Sequence, residues 1–149
     1  MSQSVGSYTN LIRKSTVLAG NPALYRAGLI NYTPVRISGY TQKKELDGVQ
    51  LGPMRFVYTE SIDYTNNVVP CNTNPNILIP LPERAIAEYI YHERFCEEGL
   101  LIEALQDYLW RVEKGTGSIE KLIEIGEMYG VKEETMRYWI KEAEEDYEV

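Results

Sequence analysis

The chain has 149 residues, 44% hydrophobic and 25% charged, with a formal net charge of −7, which suits one domain able to bury roughly two-thirds of its unfolded surface without disulfide or metal. The first residues hold no basic cluster followed by an apolar run, no apolar stretch reaches membrane-spanning length, and Cys71 and Cys96 lack paired spacing. Export and membrane insertion are therefore unsupported, and a cytoplasmic protein with two free thiols is expected.

Charge is unevenly placed: residues 1–82 hold seven Lys/Arg against four Asp/Glu, and residues 83–149 hold eight against eighteen. Phosphate affinity comes from cations that release counterions, so any nucleic-acid contact belongs to the first half. Residues 1–20 read as a polar tail and a short helix ahead of one domain over 21–149. Leu11, Ile12, Val17 and Leu18, then Ala23, Leu24, Ala27 and Leu29, predict two short helices broken by Gly20-Asn21-Pro22. Asn21 is placed to cap the second, and Gly28 to end it.

After Pro34 the period becomes two. Val35, Ile37 and Tyr40 alternate with Arg36 and Ser38 in a strand over 35–40, and a second strand covers 54–62 with Phe56 and Tyr58 on one face. The loop between them contains Lys43-Lys44, Asp47-Gly48 and Gly52-Pro53, which makes it turn-rich and exposed. Arg36, Lys43, Lys44 and Arg55 form the basic concentration of the chain and are the residues nominated for polyanion contact; a solvated hairpin tip explains them equally. Short strands over 68–70 and 77–79 complete one small, mostly antiparallel sheet.

Asn76–Phe95, NILIPLPERAIAEYIYHERF, organises the rest. Ile77–Ile79 reads as a buried strand that two prolines stop, and Pro82 suits the first helical position, with Glu83 beside the positive helix end. Only Glu88 is charged between Arg84 and Glu93, so this helix is expected in the core. Arg84 and Glu88, four apart, are spaced to pair. Pro82, Glu83, Arg84 and Glu88 thus read as a structural motif, and His92, the single histidine, as a core or surface side chain.

Beyond Gly99, Leu101, Ala104, Leu105, Tyr108 and Val112 form one stripe of a helix over Leu100–Val112. Ser118 caps a third helix through Met128, Gly130 turns the chain, and a last helix runs over Lys132–Asp146 before an acidic tail expected to fray. Leu122–Ile140 has helix-turn-helix spacing. Its chemistry opposes DNA: residues 119–149 carry four Lys/Arg and ten Asp/Glu, and the second helix opens on Lys132-Glu133-Glu134.

PERAIAE at Pro82–Glu88 resembles the Pro-Glu-Arg-Ala/Thr-hydrophobic-x-Asp motif in the C-terminal domain of AbiEi-type antitoxins from bacterial abortive-infection systems. NPALYRAGLINYTP at Asn21–Pro34 resembles the family's Ser-Ala-Leu-x-x-x-Gly-Leu segment, the Arg36–Ser38 strand follows in order, and SIEKLIEIGEMYGV at Ser118–Val131 resembles its closing helices. Glu88 stands where the family usually has Asp, and Asn21 where Ser is common. Family members commonly begin with a winged-helix domain, which the residues before Asn21 are too few to build.

The resemblance implies an antitoxin or regulator domain that counteracts a nucleotidyltransferase-like toxin, without a stable complex being required. No nucleophile elbow, phosphate-cradling glycine loop, HExxH or paired-cysteine pattern nominates catalysis, and no cofactor or metal site is expected. The expected architecture is α+β: a small sheet packed on a central helix, with a helical C-terminal part. The rival functions are a helix-turn-helix transcriptional regulator using residues 119–146 and a plain protein-interaction module.

Overall fold

The computed structural model describes residues 14–93 and 96–147. The fold is α+β. Six strands, β1 (Thr16–Val17), β2 (Ile37–Thr41), β3 (Gln50–Leu51), β4 (Met54–Tyr58), β5 (Val68–Pro70) and β6 (Ile77–Pro80), accompany five helices: α1 (Gly20–Arg26), α2 (Pro82–Tyr91), α3 (Glu98–Glu113), α4 (Ile119–Met128) and α5 (Glu133–Tyr147).

The expected helix from Leu11 lies partly outside the described residues, and within them it is corrected. Thr16 and Val17 are extended and pair in parallel with Ile77 and Leu78. The backbone N–H groups of Thr16 and Leu18 donate to the carbonyls of Asn76 and Leu78 at 2.7 and 3.0 Å, while that of Ala19 donates to Ser38 on the opposite side. Val17 and Leu18 are buried, so these residues are packed within the fold.

That segment joins two mixed three-stranded sheets, β1-β6-β5 and β2-β4-β3, where one mostly antiparallel sheet was expected. The strands predicted at 35–40 and 54–62 are parallel, not a hairpin, with Ser38 opposite Arg55 and Tyr40 opposite Val57. The hairpin instead joins β3 to β4 through Gly52-Pro53, with Leu51 opposite Met54 and Gly52 at φ +60°. Asp47 fixes the crossover, its Oδ1 accepting the Tyr58 N–H at 3.0 Å.

Gly39 lies where β1 passes β2. A Cβ there would stand 2.6 Å from Thr16 Cγ2 and 3.3 Å from Met54 Sδ, and the β-branched Thr16 has little freedom to turn aside. Gly39→Val is expected to destabilise the domain by roughly 1–3 kcal/mol through overpacking, read as a lower Tm in thermal circular dichroism. An unchanged Tm would mean that the two sheets do not meet there.

Helix α1 starts at Gly20 without the expected Asn21 cap. The Asn21 side chain is used elsewhere: its Oδ1 accepts the Tyr89 hydroxyl at 2.7 Å. Gly28, at φ +78°, does end this helix, the Gly28 and Leu29 N–H groups turning back to the carbonyls of Tyr25 and Leu24. Ser118 caps α4 by accepting the Lys121 N–H at 3.2 Å. Gly99 lies inside the first turn of α3 rather than before it.

The main core gathers around α2. Ala85, Ile86, Ala87 and Ile90 share one buried cluster with Leu24 of α1, Leu101 and Leu105 of α3, Leu122 of α4 and Met136 of α5. Val17, Ala19, Tyr40 and Val57 make a smaller cluster between the sheets.

Candidate functional site

Arg84, Glu88 and Tyr91 recur at helical spacing on one stripe of α2, and His92 follows directly after the helix end. They floor a cleft of about 310 Å³, walled by Thr59, Glu60, Ser61 and Asp63 on one side and by Met128, Tyr129 and Gly130 on the other. The central helix therefore has a polar stripe as well as its apolar faces.

Arg84 is only 1% exposed. Its Nη1 donates to the Asn66 carbonyl at 2.8 Å, its guanidinium carbon lies 4.5 Å from the centre of the Tyr129 ring, and its Nε lies 3.2 Å from Glu88 Oε1. The last is an ion pair without hydrogen-bond alignment, since neither buried atom has a hydrogen-bond partner. The pair expected from the spacing is thus present, in a setting where both charges have lost water and each depends on the other.

Asp63 carries the opposite wall. Its Oδ1 accepts the N–H groups of Thr65 and Asn66 at 3.0 Å each, and its Oδ2 accepts the Tyr129 hydroxyl at 2.9 Å. Burial works against its charge, but the donors from Asn66, Thr65 and Tyr129 outweigh it and hold the carboxyl well below the usual range. Glu88 goes the other way: burial raises it to about 7, with Arg84 opposing the rise and Asp63 adding to it. Burial lowers His92 against a weaker pull from Asp47, and its ring centre lies 5.1 Å from those of Tyr40 and Tyr91.

The cleft thus combines an ionised Asp63, a Glu88 that exchanges its proton near neutrality and a fixed guanidinium, and it ties a loop, α2 and the end of α4 together. Glu83 serves a separate junction. It is buried and accepts the Tyr108 hydroxyl at 2.7 Å, while that oxygen accepts the Ser118 N–H at 3.0 Å, joining α2, α3 and the start of α4. Pro82 is the first residue of α2. Among the described residues, no group of three or more His, Cys, Asp or Glu is placed to hold a metal ion.

The four basic residues do not converge. Ser38 opposes Arg55, and Arg36, two residues before Ser38, lies on the same face; both arginines line a smaller cleft of about 220 Å³ with Asn21 and Tyr32. Lys43 and Lys44 lie beyond the other end of β2, about 17 Å of strand away at ~3.3 Å per residue. The Lys44 ammonium rests 5.7 Å from the centre of the Tyr58 ring.

In the helix-turn-helix segment, Gly130 turns the chain at φ +91°, but two of the cations on α5 are engaged on their own helix. Arg137 Nε lies 2.7 Å from Glu133 Oε2, and Lys141 Nζ lies 4.0 Å from Glu145 Oε1.

Sequence reasoning missed Asp63, Tyr91, Tyr108 and Tyr129, and gave His92 no place in a site. The run Asp63-Tyr64-Thr65-Asn66 carried a usable signal, because an aspartate before polar turn residues accepts their backbone N–H groups. The tyrosines carried none. No protein-family model matches the chain, and no curated protein matches it.

Proposed function

We propose that this chain is an AbiEi-like antitoxin or regulator domain: a non-catalytic, cytoplasmic protein that counteracts a nucleotidyltransferase-like toxin. One observation supports this reading above others. The segments that carry the resemblance are neighbours in space as well as in order, for α1 and α4 both pack on α2, and Glu83 and Arg84 of the resembling motif are buried at the junctions of that helix. The likeness therefore falls on the residues that build the domain, as a shared domain type requires.

Other features agree. Cys71 and Cys96 are free thiols, which suits a reducing compartment, and among the described residues no helix is long and apolar enough to cross a membrane. The charge of residues 119–149, four Lys/Arg against ten Asp/Glu, weighs against the rival in which residues 119–146 read DNA, because its carboxylates repel the phosphates that its few cations would contact.

The test is growth rescue. Co-expression with the nucleotidyltransferase-like protein encoded beside it, in cells that the latter alone arrests, is expected to restore growth. Continued arrest with soluble protein present would overturn the proposal and direct attention to DNA binding by α4 and α5, measured across a salt series.

A further inference from the structure

Helix α3 leaves part of its surface uncovered. Leu109, Trp110 and Val112, with Ile119 at the start of α4, line a groove of about 430 Å³ bordered by Gln106, Glu113 and Glu144. Leu109, Val112 and Ile119 pack against the core and make an apolar floor, whereas Trp110 is 56% exposed. An indole left in water over an apolar groove is the residue type that anchors protein interfaces. Gln106 closes one end, its Nε2 donating to the Ala143 carbonyl at 3.3 Å.

The border decides the occupant. Glu113 and Glu144 flank the apolar floor, and residues 142–146 of α5 read Glu-Ala-Glu-Glu-Asp. A cation already rests on the indole: Lys114 Nζ lies 5.6 Å from the ring centre. Helices bound the groove, so it presents no strand edge to extend, and an apolar groove between helices accepts the apolar stripe of another helix. Among the described residues a second copy of this chain offers no suitable helix, because α4 and α5 are acidic on their outer faces and the seven-residue α1 carries a single cation, Arg26, in its last turn.

We propose that this groove docks an amphipathic helix of a partner protein that carries Lys or Arg on both flanks of its apolar stripe. The inference stands apart from the antitoxin reading and survives its failure.

The test uses the full chain and a labelled synthetic peptide of about eighteen residues, with leucines on one helical face and lysines on both flanks. A scrambled peptide of the same composition is the control, and fluorescence anisotropy is the readout. The periodic peptide is expected to bind at least tenfold more tightly than the scrambled one. Trp110→Ala and the double variant Glu113→Lys/Glu144→Lys should each weaken binding at least tenfold, while Tyr138→Ala, outside the groove, should leave it unchanged.

Absence of binding at millimolar peptide, equal binding of the scrambled peptide, or full affinity in a folded Trp110→Ala variant would overturn the proposal. So would a concentration-dependent dimer in sedimentation velocity that Trp110→Ala abolishes, since the groove would then belong to a second copy. Should Trp110→Ala fail to fold, the charge-reversed variant decides alone.

Discussion

Replacing Arg84 with alanine is expected to destabilise the domain by roughly 3–5 kcal/mol, the range for removing one partner of a buried ion pair. A domain of this size has about 5–15 kcal/mol in all, so the loss is at least about a fifth of the total and the urea midpoint should fall in proportion. Three losses combine: Glu88 loses the cation that offsets its burial and must take up a proton to stay inside, the Asn66 carbonyl loses its donor at 2.8 Å, and Tyr129 loses the guanidinium against its ring. The double variant Arg84→Met/Glu88→Gln removes both charges while keeping most of the volume, and should recover much of the loss. A loss below about 1 kcal/mol, the level of an exposed pair, would show that Arg84 does not hold the cleft together.

The second large effect is on pH dependence. Glu88→Gln is expected to gain on the wild type by roughly 2–3 kcal/mol between pH 4.5 and pH 7.5. The folded value of Glu88 is about 7 against an ordinary 4.5, so the native state binds this proton more tightly than the unfolded chain. Its contribution is fully present below the unfolded value and is lost as pH rises through the folded one. Above 7 the fold must hold an ionised Glu88 near Asp63, with Arg84 as the buried cation beside it.

Other groups around the cleft titrate differently. Asp63, held low by its donors, contributes stability present above the usual carboxylate range and lost in acid. His92, held low by burial, contributes stability above its ordinary value and loses it as pH falls. Tyr40 and Tyr129 are shifted upward and stay neutral throughout. The difference between variant and wild type isolates Glu88 from all of these, and urea unfolding at several pH values measures it. A difference that does not change with pH would remove Glu88 as the titrating group.

Local chemistry was legible where it decides structure by itself. Pro82 with Glu83, Ser118, Gly28 and Gly130 each mark a helix end by a rule that acts within a few residues. The Arg84–Glu88 pair was legible for the same reason, since helix geometry alone brings residues four apart together.

The sheets were harder. Thr16–Val17 is too short to show a period, and its ladder comes from Ile77 and Leu78, so the apolar pattern around it reads as helix. Two strands on either side of a turn-rich loop read as a hairpin, whereas Asp47 carries the chain across to a third position before it returns. The cleft was half visible. Its floor lies on one helix, but Asp63 and Tyr129 reach it from distant parts of the chain, and no local spacing announces such a meeting.

The pairing of β1 with β6 has a consequence for how the protein is made. Synthesis proceeds from the N-terminus, so Val17 and Leu18 leave the ribosome long before Ile77 and Leu78 exist to receive them. At ~5–20 residues per second, that interval is on the order of 3–12 s. Throughout it, the nascent chain carries buried-type side chains and strand N–H groups with no native partner, which is a state that chaperones recognise and in which chains aggregate. Strand β1 is thus completed only when β6 is made, and arrested nascent chains ending before β6 should remain protease-sensitive across β1.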